Sequence, residues 1–209
     1  MLFRSLVEAS LGEVAGRRVL RLDGEEFPLG PVSDGLARNA ALAVLAAREV
    51  GAETSAVRAA LAAWSPPAGR GSLHPLGERT YYVDCYNSSP ASLLDAAHCF
   101  DRLSAAAGPR LWVLGGMAEL GAASADLHRG CGAELPVRAG DAVVGFGGEA
   151  AELLAGLPAG AGRRLAAASL DEVRAAVGAH RGFVFVKGSR SFALERVLPP
   201  ELGAHLPFH

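Results

Sequence analysis

Apolar residues recur along this chain in two different rhythms. Up to residue 32 the short alternating segments Phe3–Val7 and Arg17–Leu22 are separated by glycine turns and lack a helical period, so they predict strands at the edge of a β-rich unit. From Asp34 to Val50 the pattern becomes that of a long apolar helix. Thr54–Trp64 predicts a second, antiparallel helix after the turn at Gly51. Ser65-Pro66-Pro67-Ala68-Gly69 can continue neither element, because two prolines and a glycine remove donors and fixed geometry, and it reads as a linker. Beyond it the periods alternate. Strands are predicted at Arg79–Asp84, Arg110–Leu114, Asp141–Phe146, Arg164–Ala167 and Gly182–Val186, and helices at Pro90–Ala106, Ser124–Leu135, Glu149–Leu157, Leu170–Ala179 and Phe192–Leu198. Such alternation predicts an α/β fold, a mostly parallel sheet with helices on both faces. Ser89 before Pro90 has the form of a helix N-cap, and Ser169 with Glu172 has capping-box spacing.

Composition narrows the possible functions. Half of the 209 residues are hydrophobic and 20% are charged, enough apolar material for a buried core. The net charge of -2 leaves no broad basic face, which argues against nucleic acid or an anionic membrane as partner. Ala40–Ala47, the longest apolar run, is far shorter than the roughly 20 residues of a membrane helix. Met1–Ser10 is interrupted by Arg4 and Glu8 and does not read as a signal peptide. Cys85, Cys99 and Cys131 are odd in number and form no CxxC pair, so no disulfide framework or metal site is expected and a reducing cytoplasm fits. Of the 20 basic residues, only Lys187 is a lysine.

In an open parallel sheet, ligands bind where strands end. Three predicted strand ends carry the polar content: Asp84-Cys85-Tyr86-Asn87-Ser88-Ser89-Pro90, Gly115-Gly116-Met117-Ala118-Glu119-Leu120-Gly121, and Lys187-Gly188-Ser189-Arg190-Ser191. Asp84 at such a place can take a sugar hydroxyl or a cation, or simply form a turn. Asn87 and Ser89 can cap the following helix. Gly115 and Gly116 permit close backbone approach to a ligand. Lys187 is read as opening a helix; a cation is unfavourable there unless an anion joins it. Arg70, between Gly69 and Gly71, reads as a phosphate clamp or as a solvated linker arginine. His128, one turn before Cys131, is read as a helix-surface histidine rather than a metal ligand.

Together these segments resemble the C-terminal half of the Mur ligases, most closely the members that add D-alanyl-D-alanine to UDP-N-acetylmuramoyl tripeptide. Asn39-Ala40-Ala41-Leu42-Ala43 resembles the end of the family's GRHNxxNALAA segment, and Gly69-Arg70-Gly71 its GR motif. Val83 to Ser92 resembles DxYNAxPxS. Trp112 to Gly121 followed by Leu127-His128 resembles VLGDMxELG…LH, and Val186 to Arg190 with Glu195-Arg196-Val197 resembles VKGSRxxxxERV. In the family, ATP phosphorylates a substrate carboxylate and an incoming amine attacks the acyl phosphate to form an amide. The resemblance implies a Rossmann-like C-terminal domain over 65–209, preceded over 1–64 by a remnant of the central, ATP-binding domain that lacks its phosphate loop. It implies Asn39, Arg70, Asp84, Tyr86 and Asn87 as nucleotide contacts, Lys187, Ser189 and Arg190 as contacts to D-alanyl-D-alanine, and Lys187 and Asp84 as the catalytic pair.

The match departs from the family at defined places. The only lysine is followed by Gly188-Ser189, so no Gly-Lys-Thr or Gly-Lys-Ser phosphate loop is present, and the modified magnesium-binding lysine is missing with it. Ser33-Asp34-Gly35-Leu36 stands where the family has GRHN, and Gly116 where it has the Asp of GDM. The UDP-sugar-binding N-terminal domain is absent from the match. The expectation is therefore part of an ATP- and Mg2+-dependent ligase, inactive and without a cofactor of its own unless another chain supplies the phosphate loop. The alternatives are a non-catalytic binding or regulatory module of the same fold and a generic α/β nucleotide- or phosphate-binding enzyme whose loops match by coincidence.

Overall fold

The computed structural model describes residues 8–14 and 17–203, which form two compact units divided between Pro66 and Pro67. In the first unit β1 (Ala9–Val14), β2 (Arg17–Leu22) and β3 (Glu25–Pro28) make an antiparallel sheet, followed by α1 (Asp34–Glu49) and α2 (Thr54–Ala63). The expected strand Phe3–Val7 lies outside the described residues, and β1 and β3 are additional to the expected elements. Asp23 and Gly24, with φ of 50° and 80°, form the tight β2–β3 hairpin, whose hand requires both positions in the left-handed region. Ser33 caps α1 by accepting the Leu36 N–H at 3.3 Å. Leu20, Leu22, Phe27, Val32 and Val44 fill the core between sheet and helices.

The second unit is a six-stranded sheet. β4 (Ser72–Leu76), β5 (Arg79–Asp84), β6 (Leu111–Gly115), β7 (Ala142–Phe146), β8 (Arg163–Ala167) and β9 (Gly182–Lys187) lie in the order β4-β5-β9-β6-β7-β8. Five strands run parallel; the edge strand β4 pairs antiparallel with β5. β4 escaped the sequence pattern because Pro75 interrupts it, and an edge strand tolerates the donor that proline lacks. α3 (Pro90–Leu103), α4 (Ser124–Glu134) and α5 (Ala150–Gly156) cover one face, with Phe100, Cys131 and Leu153 packed on Trp112, Val143 and Phe185. On the other face α6 (Leu170–Ala179) sets Val173 and Val177 against Val113, Val144 and Val184. The chain's last described element is the short α7 (Pro200–Gly203).

The expected helix at Phe192–Leu198 does not form. Two 3-10 turns, Arg190–Phe192 and Leu194–Val197, stand there instead, broken at Ala193, whose φ of 49° cannot continue a right-handed helix. Tertiary packing explains the choice: the second turn brings Leu194 and Val197, three residues apart and so on one edge of a 3-10 turn, into the core of the α6 face.

At the amino ends of β6 and β7 a buried ion pair closes the sheet. The Arg110 guanidinium, fully buried, donates to Asp141 Oδ2 at 2.7 Å, to Asp101 Oδ1 at 2.6 Å and to the Pro136 carbonyl at 2.8 Å. Asp141 also accepts the Trp112 indole N–H at 2.9 Å and the Arg138 backbone N–H at 3.0 Å. Burial alone would raise the Asp141 and Asp101 carboxyls; the hydrogen bonds from Arg110, helped by those from Arg138, reverse this and hold both below the ordinary carboxylate range. A depressed folded-state pKa means stability that is complete above the unfolded value, near about 3.9, and lost as pH falls through the lower folded values. The expected outcome is a thermal midpoint that drops steeply below about pH 4, and less steeply in Asp141→Asn, measured by scanning calorimetry. Asp141→Ala, which strands a buried guanidinium, is expected to cost about 3–5 kcal/mol by urea titration.

Candidate functional site

The carboxyl ends of β5, β6 and β9 release three neighbouring loops. The parallel register sets Lys187, the last residue of β9, beside Asp84, the last of β5. The three residues before Lys187, Val184 to Val186, are wholly buried, so its aliphatic stem enters the interior and its ammonium must be met there. Nζ donates to Asp84 Oδ2 at 2.6 Å and to the Asn87 carbonyl at 3.1 Å. The Lys187 side chain is 1% exposed and that of Asp84 20%, so it is the carboxylate that faces outward. Two expectations are corrected here. Lys187 does not open an α-helix, the next element being the 3-10 turn Arg190–Phe192, and the anion beside its ammonium is the chain's own Asp84.

Ser189 ties the loops together. It is buried; its N–H donates to the Gly116 carbonyl at 3.0 Å, and its Oγ accepts the Ala118 N–H at 2.9 Å and lies 3.4 Å from the Ser88 carbonyl. Two glycines make this closeness possible. A Cβ on Gly188 would stand 2.8 Å from the Gly115 Cα, and one on Gly116 2.9 Å from the Gly147 carbonyl oxygen, both contacts with backbone that cannot yield. The close approach that Gly115 and Gly116 permit is used here by neighbouring loops.

The outer wall is exposed. Gly69 and Gly71, with φ of 78° and 77°, fold the segment before β4 back onto β5, so that the Tyr86 N–H donates to the Gly69 carbonyl at 3.2 Å. Arg70 then lies over the Tyr86 ring, its Cζ 3.7 Å from the centroid, an arrangement that holds a guanidinium flat while leaving it accessible. Asn87 turns its Oδ1 onto the Ser88 N–H at 2.8 Å, ahead of α3, whose capping box joins Ser89 and Ser92. Arg190 pairs with Glu195 Oε1 at 2.7 Å. The structure therefore brings together Arg70, Asp84, Tyr86, Asn87, Lys187, Ser189 and Arg190. Asn39 is exposed on α1, in the first unit.

Two contributors were not singled out as site residues. His128, expected on the helix surface, is wholly buried: its Nε2 accepts the Met117 N–H at 2.8 Å, and its Nδ1 lies 2.7 Å from the Ser124 carbonyl. Those partners require a neutral ring with the proton on Nδ1. The Leu127-His128 pair in the sequence carried the signal, but not the direction of the ring. Ser88 is the second: its Oγ is buried without a hydrogen-bond partner among the described residues. Burial, with Glu195 and Asp84 near, pushes the Cys85 thiol up to about 12, which disfavours the nucleophilic thiolate. Among the described residues no three His, Cys, Asp or Glu side chains gather as a metal site, and no helix is long and apolar enough to cross a membrane.

A fold of this order, with its polar loops at the carboxyl ends of β5, β6 and β9, is that of the C-terminal region of the Mur ligases. The structure of the MurF ligase of Thermotoga maritima, solved in complex with ADP, superposes with a TM-score of 0.73 at 20% identity over 92% of this chain and 44% of its own. A MurF of Acinetobacter baumannii gives 0.75 at 22% identity, over 95% and 45%. In sequence the chain is similar to the UDP-N-acetylmuramoyl-tripeptide–D-alanyl-D-alanine ligase of Treponema pallidum, 33% identical over 169 residues that make 78% of this chain. The chain spans 36% of that relative's length and under half of the solved structures it matches. No family model matches.

The geometry makes His128 a support for the middle loop. His128→Ala leaves the Met117 N–H buried without a partner, a loss of about 1–3 kcal/mol, and is expected to speed amide exchange at Met117 and Ala118 over that of the β6 core. His128→Gln, which keeps an acceptor, is expected to restore part of the protection. Unchanged exchange in the alanine variant would remove the role.

Proposed function

We propose that this chain is the C-terminal part of an ATP-dependent amide ligase of peptidoglycan precursor synthesis, joining D-alanyl-D-alanine to UDP-N-acetylmuramoyl tripeptide in the cytoplasm. The observation that carries the reading is the junction of three signature-bearing loops at one end of the sheet through the Lys187–Asp84 pair and Ser189. The sequence likeness to a ligase with that activity supports it. In such a reaction ATP turns the tripeptide's terminal carboxylate into an acyl phosphate, releasing ADP; the dipeptide amine attacks the acyl carbon, and phosphate leaves with formation of the amide.

What these residues contribute is positioning and charge. The outward face of Asp84 is suited to ribose hydroxyls, with Lys187 fixing its carboxylate, and the Arg70 guanidinium, flat on Tyr86, to a phosphate. Ser189 and Arg190 are suited to the carboxylate end of the dipeptide. Asn39 is assigned to the adenine. No lysine remains for a phosphate loop, and among the described residues no carboxylate group gathers for Mg2+, so those residues do not by themselves fit a magnesium ion, and the phosphate loop must come from outside the 209 residues. The chain alone is accordingly assigned no ligase turnover.

A second reading, a non-catalytic module, draws on one observation: Ser33-Asp34-Gly35-Leu36 replaces GRHN inside the matched region, and Ser33 and Asp34 serve there as helix cap and partner of Arg18. Reconstitution separates the two. The chain is mixed with a Mur ligase portion that carries the UDP-sugar and phosphate-loop domains, and with UDP-N-acetylmuramoyl tripeptide, D-alanyl-D-alanine, ATP and Mg2+. Pentapeptide product and ADP are expected, with Asp84→Asn and Lys187→Met each lowering the rate by about 100-fold or more at unchanged circular dichroism. Undiminished rates in both variants would overturn the site assignment, and tight association without turnover would favour the module.

A further inference from the structure

Arg79, Arg174 and Arg196 line one cavity of 530 Å³ on the α6 face of the sheet, together with the apolar Val177, Val197 and Leu198. That volume lies within the range of about 300–1,000 Å³ typical of small-molecule sites, and an apolar wall with a few charged groups is their usual lining. Local bonding draws the arginines toward each other. Arg79 donates to the Gly178 and His180 carbonyls at 2.6 and 2.7 Å, capping the carboxyl end of α6. Arg174, on the same helix, donates to the Arg196 carbonyl at 3.1 Å. Arg174 and Gly178 stand about one helical turn apart, and Arg196 is itself the residue that Arg174 grips.

Each arginine keeps donors in reserve. Among the described residues Arg79 Nη1 and Arg174 Nε make no hydrogen bond, and the exposed Arg196 guanidinium makes none at all. Asp171 offsets the charge of Arg174, and Arg190 that of Glu195, the acid of the lining, whose Oε2 is withdrawn from the surface. The Tyr81 hydroxyl is withdrawn likewise. The side chains therefore present guanidinium donors and hydrocarbon, with Arg79 and Arg196 met by no carboxylate among the described residues. A guanidinium can only donate, so the complementary ligand carries an anion and an apolar body. We propose that this cavity binds an organic anion of that kind, a carboxylate or phosphate on a hydrocarbon chain, with its acid head on Arg196 and Arg174 and its chain along Val177, Val197 and Leu198. Guanidinium groups take either head by paired, charge-assisted hydrogen bonds. The site stands apart from the ligase reading and is tested without nucleotide or D-alanyl-D-alanine.

The test is an NMR titration of the isotope-labelled chain with octanoate and octyl phosphate, beside octan-1-ol, which lacks the charge, and the butyl homologues of both acids, which lack half the chain. Saturable shifts are expected at Val177, Gly178 and Val197, and the tighter of the two octyl acids names the head group. That acid is expected to bind about tenfold or more above its butyl homologue, through partial burial of the extra methylenes, and about tenfold above octan-1-ol, through its charge-assisted hydrogen bonds. Added salt is expected to weaken the acid and not the alcohol. Arg196→Ala and Arg174→Gln, both on the surface, are each expected to weaken it by about three- to tenfold, in chains whose spectra stay dispersed. Arg129→Ala, on α4 across the sheet, is expected to leave it unchanged. No saturable shift with either octyl acid would mean that the arginines serve only to brace α6 and would overturn the proposal. Octan-1-ol binding as well as the acids, or acid binding unaffected by both Arg196→Ala and Arg174→Gln, would overturn it as well.

Discussion

A lysine that ends a buried strand is tolerated only where an anion meets it, and in this chain that requirement fixes both register and site. Parallel pairing sets Asp84 next to Lys187; a slip of one residue would offer the ammonium Val83 or Cys85 instead. The ion pair therefore selects the alignment of β5 and β9, the strands from which two of the three loops depart. Removing one partner leaves the other charge uncompensated in a poorly solvated place, a larger loss than the pair's own attraction. The Asn87 carbonyl, as second acceptor, extends the same constraint into the loop before α3.

The two ends of the sheet solve similar electrostatic problems with different margins. At the amino ends, Arg110 and Asp141 are almost completely withdrawn from solvent, and their remaining donors and acceptors are met by Asp101, Trp112, Arg138 and Pro136. At the carboxyl ends, Asp84 keeps part of its surface in water. A closed network resists change, and a partly open one is equipped to receive a ligand. The Ser189 and His128 hydrogen bonds hold the open end in shape, so little ordering is left for a ligand to impose.

How much of this was legible in the sequence depended on the range of the interactions involved. The parallel strands and their helices could be read because each has its own apolar period, and the caps at Ser89 and Ser169 are local. β4 could not, since Pro75 hides a strand that only its edge position permits. The stretch from Phe192 to Leu198 has helical spacing, yet packing of Leu194 and Val197 on the α6 face turns it into 3-10 geometry through the left-handed Ala193. The motif residues could be located, but not their partners. Asp84 and Lys187 are 103 positions apart, and nothing local to either states that each answers the other. His128 is similar: its helix was evident, while its inward direction depends on a loop from another strand.

The withdrawal of the chain's single lysine has a practical side. Acylating dyes, reductive methylation and amine-directed cross-linkers need an accessible neutral amine, and Lys187 shows 1% of its side chain to solvent with Nζ engaged by Asp84. The three thiols are buried as well, so maleimides meet the same obstacle. The described surface thus offers guanidinium and carboxylate groups but no side-chain amine or thiol handle, and a label or tether placed by an introduced cysteine would stand on an otherwise silent background.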